Sequence, residues 1–145
     1  QALAFESARL PPEMAQPPPP PPDKPRVLCV EDEPAVLTLV TRLLEPIARV
    51  QTATDGQQAL ELLQASKKPP DLVITDMMMP RLDGMGLAKA MRADERLAKV
   101  PIIMLTAKSG AMDVIGGINA GAKHYVTKPF KHEELLSKVR KLLRL

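Results

Sequence analysis

Between residues 26 and 128 short apolar runs alternate with helical stretches, and that alternation leaves few folds open. Arg26-Val27-Leu28-Cys29-Val30 reads as a buried strand, Ile47 to Ala53 as a second and Asp71 to Thr75 as a third. Pro101 to Leu105 reads as a fourth, ending at Thr106-Ala107, and Lys123 to Thr127 as a fifth. Runs without polar alternation suit strands covered on both faces. After the first, Pro34 is well placed in a helix's first turn, Val36, Val40, Leu43 and Leu44 recur at helical spacing, and Pro46 ends the run. Asp55-Gly56 is a turn or cap before a second helix marked by Ala59, Leu60 and Leu63, which gives out near Lys67-Lys68-Pro69-Pro70. A third helix is expected over Gly84 to Ala93 and a fourth over about Ser109 to Ala120. The fourth contains Gly116-Gly117, each costing about 1 kcal/mol against alanine, so it is expected to be short, mobile or both. The last helix is amphipathic, with Leu135, Val139, Leu142 and Leu143 on one face.

Strand and helix in strict alternation place helices on both faces of a parallel sheet. The predicted class is α/β, a five-stranded parallel sheet of order 2-1-3-4-5, flavodoxin-like. Residues 1–25 stand apart. Six prolines from Pro17 to Pro22, with Pro11, Pro12 and Pro25, favour an extended polyproline II spacer over any helix or central strand. The expected organisation is therefore a Pro-rich linker or tail, 1–25, and one domain, 26–145. Phe5 to Leu10 is a weak candidate for the last strand of a preceding domain, and a start at Gln1 is expected of a fragment or processed chain.

Hydrophobic residues make up 45% of the chain and aromatics only 2%, so the core must be aliphatic and a base-stacking surface is not supported. The net charge of +3 comes from scattered cations, which gives no footprint for nucleic acid or membrane. No apolar stretch approaches the roughly 20 residues of a membrane span. The single cysteine, Cys29, lies inside an apolar run, as a buried thiol in a reducing, cytoplasmic compartment would.

In such a sheet the carboxyl ends of the strands form one edge, where ligands bind. Glu31 and Asp32 follow the first strand, Asp76 the third, Thr106 the fourth and Lys128 the fifth. Crowded carboxylates need a cation, and hard oxygen ligands with open positions suit Mg²⁺, which keeps waters and accepts a phosphate oxygen. Asp76, at the centre, is the candidate nucleophile, forming an aspartyl phosphate. Lys128 would add positive charge and the Thr106 hydroxyl a hydrogen bond to a phosphate oxygen. Taken singly, each has an ordinary use: helix caps for the acids and Thr106, a solvated lysine for Lys128. His124 and His132 share no ligand spacing with the acids.

Residues 26–145 resemble the receiver domain of bacterial two-component response regulators over its full length. The resemblance rests on Val30-Glu31-Asp32-Glu33-Pro34, Thr75-Asp76-Met77-Met78-Met79-Pro80, Leu105-Thr106-Ala107, Ala120-Gly121-Ala122, Tyr125 and Lys128-Pro129-Phe130. It implies that Asp76 is the phospho-acceptor and a metal ligand. Asp32 would ligate Mg²⁺ directly, Glu31 mainly through water, and the Met78 backbone carbonyl would complete the protein ligands. Ala107 would leave room for the phosphoryl group and donate its N–H to it. A cis Lys128–Pro129 bond is expected, with Thr106 and Tyr125 as the switch pair. Glu31 stands where Asp is common, a mild departure. Met78 and Lys108 occupy positions where the family tunes dephosphorylation.

The resemblance implies transfer from a phosphohistidine on a histidine kinase or histidine phosphotransfer domain, with no enzymatic activity beyond the domain's own phosphorylation and dephosphorylation. Output would pass through the face of the fourth helix, fifth strand and fifth helix, which could also pair two copies. An aspartyl-nucleophile hydrolase would usually carry a second Asp where Met78 stands. A phosphorylation-independent interaction module tends to lose the acceptor, an acid or the lysine, and all are present. The Pro-rich lead favours the C-terminal receiver of a hybrid histidine kinase, with a stand-alone receiver second.

Overall fold

The computed structural model describes residues 24–107 and 124–145. Among them five strands and four helices alternate: β1 (Arg26–Val30), α1 (Pro34–Leu44), β2 (Arg49–Ala53), α2 (Gly56–Ala65), β3 (Leu72–Asp76), α3 (Gly84–Ala93), β4 (Ile102–Ala107), β5 (His124–Lys128) and α4 (His132–Leu143). The expected helix at 109–120, Gly116-Gly117, Ala120-Gly121-Ala122 and Lys108 lie outside the described residues, as do residues 1–23 of the Pro-rich stretch.

The strands form one parallel sheet of order β2-β1-β3-β4-β5, as the alternation predicts. Side chains along a strand point to opposite faces in turn, so each buried strand supplies two cores. On one face Leu28, Val30, Val73, Ile102 and Met104 pack with α2 and α3 through Ala59, Leu63, Leu87 and Met91. On the other, Val27, Cys29, Leu72, Ile74, Ile103 and Leu105 pack with α1 and α4 through Val40, Leu44, Leu135 and Val139.

Element ends follow local chemistry. Pro34 opens α1 from an extended Glu33. Asp55 and Asp83 cap α2 and α3 by accepting from Gln58 N and Gly86 N, at 2.8 and 2.7 Å. The boundaries shift by a residue or two from the expected ones. β2 begins at Arg49 because Ile47 and Ala48 still hydrogen-bond back to Leu44 O, closing the end of α1. Pro101 has no N–H and stays outside β4, which runs on through Thr106 and Ala107. β3 includes Asp76 and β5 includes Lys128.

Candidate functional site

The register brings the expected residues to one edge. Val30 pairs with Thr75 across β1 and β3, so Glu31 and Asp76 stand side by side one step further on. Asp76 is opposite Leu105, and Ala107 is opposite Lys128. Carboxylate oxygens of Glu31, Asp32 and Asp76 all lie within 4.8 Å of one another. Asp76 is 8% exposed and Glu31 only 2%, while Asp32 is open to solvent.

Lys128 reaches into this cluster from β5. Its Nζ pairs with Glu31 Oε1 and lies 3.4 Å from Asp76 Oδ2. Burial works against the ammonium's charge, and the pairing with Glu31 and Asp76 more than offsets it, so Lys128 stays protonated above its ordinary range. One ammonium cannot neutralise three carboxylates. Glu31, the most buried, takes the consequence: desolvation, then the proximity of Asp76, push its carboxyl up to about 8 against the pull of Lys128. Glu31 Oε2 is buried with no hydrogen-bond partner among the described residues. An orphaned carboxylate oxygen in a cluster of hard oxygens fits a divalent cation of the Mg²⁺ kind.

Thr106 is buried on β4 and Ala107 is exposed at that strand's end. Tyr125 is half-buried against the α2–α3 layer, and burial raises the pKa of its phenol. The Lys128–Pro129 bond is cis. Met78, two residues after Asp76, is 68% exposed. Glu31, Asp32, Asp76 and Lys128 thus meet at this edge, Thr106 and Ala107 close β4 beside them, and Tyr125 lies three residues back along β5. Sequence reasoning missed the tie between the loop after Asp76 and the start of α2. Arg81 Nε and its terminal NH₂ donate to Asp55 Oδ2 at 3.0 and 2.6 Å; the cap bond from Gln58 N and then this pairing hold the Asp55 carboxyl below its usual range. Asp55 was visible as a cap, but nothing local linked it to a cation 26 residues away.

The response regulator receiver domain model matches residues 27–140. The chain belongs to the response regulator receiver domain family. It is 44% identical over 121 residues to the DNA-binding dual master transcriptional regulator RpaA of Synechocystis, covering 83% of this chain and 49% of that protein. The receiver thus spans about half the length of that curated relative. Among solved structures, the receiver domain of a sensor histidine kinase from Pseudomonas aeruginosa, with magnesium in its active-site cleft, superposes with a TM-score of 0.76 at 32% identity. That match covers 84% of this chain and 99% of the other. A chemotaxis protein of Vibrio cholerae superposes with a TM-score of 0.76 at 31% identity, covering 82% and 98%.

Proposed function

We propose that Asp76 is the phospho-acceptor of this receiver and that the cluster around it transfers a phosphoryl group from a phosphohistidine. The observation that carries this is the meeting of Asp76, Glu31, Asp32 and the Lys128 ammonium at the end of the central strand. A carboxylate oxygen of Asp76 forms the new O–P bond while the P–N bond of the donor breaks. The electron pair goes to the imidazole, which takes a proton as it leaves. The residues here orient the acceptor and neutralise charge, which is most of what phosphoryl transfer requires.

Asp32, Asp76, the Met78 carbonyl and, through water, Glu31 would hold Mg²⁺. When bound, Mg²⁺ supplies positive charge to the phosphoryl oxygens as charge develops on them. Lys128 would pair with a phosphoryl oxygen, Ala107 N–H would donate to another, and the Thr106 hydroxyl would donate to a third. The new group carries roughly −1.5 to −2 charge. It draws Thr106 and Lys128 toward itself, and Tyr125 follows into the space behind, biasing two existing conformations. The changed face, built from β5 and α4, is where a partner or second copy would read the state.

The donor is a histidine kinase or a histidine phosphotransfer domain. Residues 26–145 act as the receiver and 1–25 as its tether to another domain, for which a kinase is the first choice. Similarity to the receiver of a sensor histidine kinase supports that arrangement. Among the described residues no helix is long and apolar enough to cross a membrane. A cytoplasmic setting follows from the donor class.

Incubation with acetyl phosphate and Mg²⁺, followed by intact mass, tests the proposal. The native chain should gain one phosphoryl group in a Mg²⁺-dependent way, and Asp76→Ala should gain none. No gain in the native chain would favour an interaction module that works without phosphorylation.

A further inference from the structure

The loop from Met77 to Asp83 follows the acceptor and is fixed at both ends. Met77 N donates to Leu105 O at 2.9 Å, and Met77 O accepts from Gly84 N at 2.8 Å. At the other end Leu82 O accepts from Gly56 N at 3.0 Å, docking the loop on the start of α2. Between these anchors Leu82 N donates to Pro80 O at 2.8 Å around Arg81, whose φ is 68°. That is a γ-turn of the positive-φ kind, the rarer and more strained form. A residue with a β-carbon is a costly choice there.

Arg81 holds this strained corner while its side chain crosses to Asp55. The two guanidinium donors converge on Asp55 Oδ2, and Asp55 Oδ1 is already committed to Gln58 N. Gln58 in turn accepts from Thr54 N at 2.7 Å, so the Asp55 carboxylate is held on several sides. The Arg81 side chain is 62% exposed and that of Asp55 only 11%. A fixed carboxylate met by a two-pronged guanidinium restrains direction as well as distance.

We propose that Asp55 and Arg81 form a latch that positions Met78 to Pro80 for cation binding, making Arg81 a positioning residue for phosphoryl transfer to Asp76. The latch rests on the functional reading above, in which the Met78 carbonyl faces the cation. Without the latch the loop loses the restraint that ties it to Asp55, and that carbonyl samples other directions.

Two variants separate positioning from stability. Arg81→Gly removes the pair but suits φ 68°, so its melting temperature should equal or exceed that of the native chain. Asp55→Asn keeps an oxygen for the Gln58 cap and loses the charge that Arg81 meets. Isothermal titration with Mg²⁺ should show the dissociation constant rising about threefold in each variant, the scale of a well-oriented exposed pair. The double variant should be no worse than either single one, because both act through one contact. Acetyl phosphate uptake at limiting Mg²⁺ should slow in parallel. Unchanged Mg²⁺ affinity in both single variants, or losses that add in the double variant, would overturn the latch. A native chain that takes up neither Mg²⁺ nor a phosphoryl group would instead remove the functional reading, and the latch with it.

Discussion

Gly84→Ala tests whether the start of α3 is built around the acceptor's own backbone. A β-carbon there would press into the Asp76 carbonyl oxygen, 2.8 Å from Met104 Sδ and 3.0 Å from Met77 Cα. Two of those atoms are main chain, and Met104 is fully buried, so none gives way easily. Overpacking of this kind costs about 2–3 kcal/mol. Alanine returns about 1 kcal/mol through the lower entropy of the unfolded chain. The net loss is about 1–2 kcal/mol, or a fall in melting temperature of roughly 4–10 °C for a domain of this size. Gly86→Ala in the same helix is the control. Its β-carbon would meet Leu82 Cδ1 at 2.6 Å and the cap oxygen Asp83 Oδ1 at 3.2 Å, both on side chains rather than main chain, so its melt should stay close to the native one. Far-UV circular dichroism melts and urea titrations of the three proteins decide the matter. A Gly84→Ala chain as stable as Gly86→Ala would refute the steric reasoning. The destabilised variant should also accept phosphoryl groups more slowly, since Asp76 cannot keep its place while its carbonyl moves.

Three further expectations concern the site and its surroundings. Glu31, pushed up to about 8 from an ordinary 4.5, holds a proton that the unfolded chain has already released, so this group's stabilisation is full below about pH 4.5 and is lost as pH rises through 8. Melts of the metal-free chain from pH 5 to 9 should show that decline, and Glu31→Gln should flatten it; an equal slope in both would sink the assignment. The Cys29 thiol, pushed up to about 12 by burial, should ignore a disulfide reagent at pH 8 in the native chain and react once urea unfolds it. Met78→Asn should speed loss of the phosphoryl group, because exposed Met78 cannot position an attacking water; unchanged or slower decay counts against this.

Most of the sheet was legible because parallel strands advertise themselves. Leu72-Val73-Ile74 and Ile102-Ile103-Met104-Leu105 have no polar interruption, and that pattern requires cover on both faces. The cluster was legible for a related reason: each strand's carboxyl end is where the apolar run stops, so Glu31, Asp76, Thr106 and Lys128 stand out by position. Boundaries were blurred where hydrogen bonding, not hydropathy, decides them. Ile47 and Ala48 look like strand yet are held by Leu44 O. The Asp55–Arg81 contact was invisible because a side-chain pair between two loops leaves no periodic trace. Nor does composition reveal that Lys128 would choose the longer arm of Glu31 as well as Asp76.

The sheet is one residue thick, with a separate apolar layer on either side. Leu72 and Ile74 of β3 belong to the α1–α4 layer, and Val73, with Met77 just beyond, to the α2–α3 layer. Sequence drift in one layer therefore need not be matched in the other. A lineage could remodel α2 and α3 repeatedly while α1 and α4 keep their packing, and the reverse. What neither layer can do is drift past β1, β3 and β4, whose alternate residues are boundary stones between two territories. These three central strands, the one that bears Asp76 among them, should be the slowest to diverge, for reasons of accommodation that would hold even if the acceptor were silent.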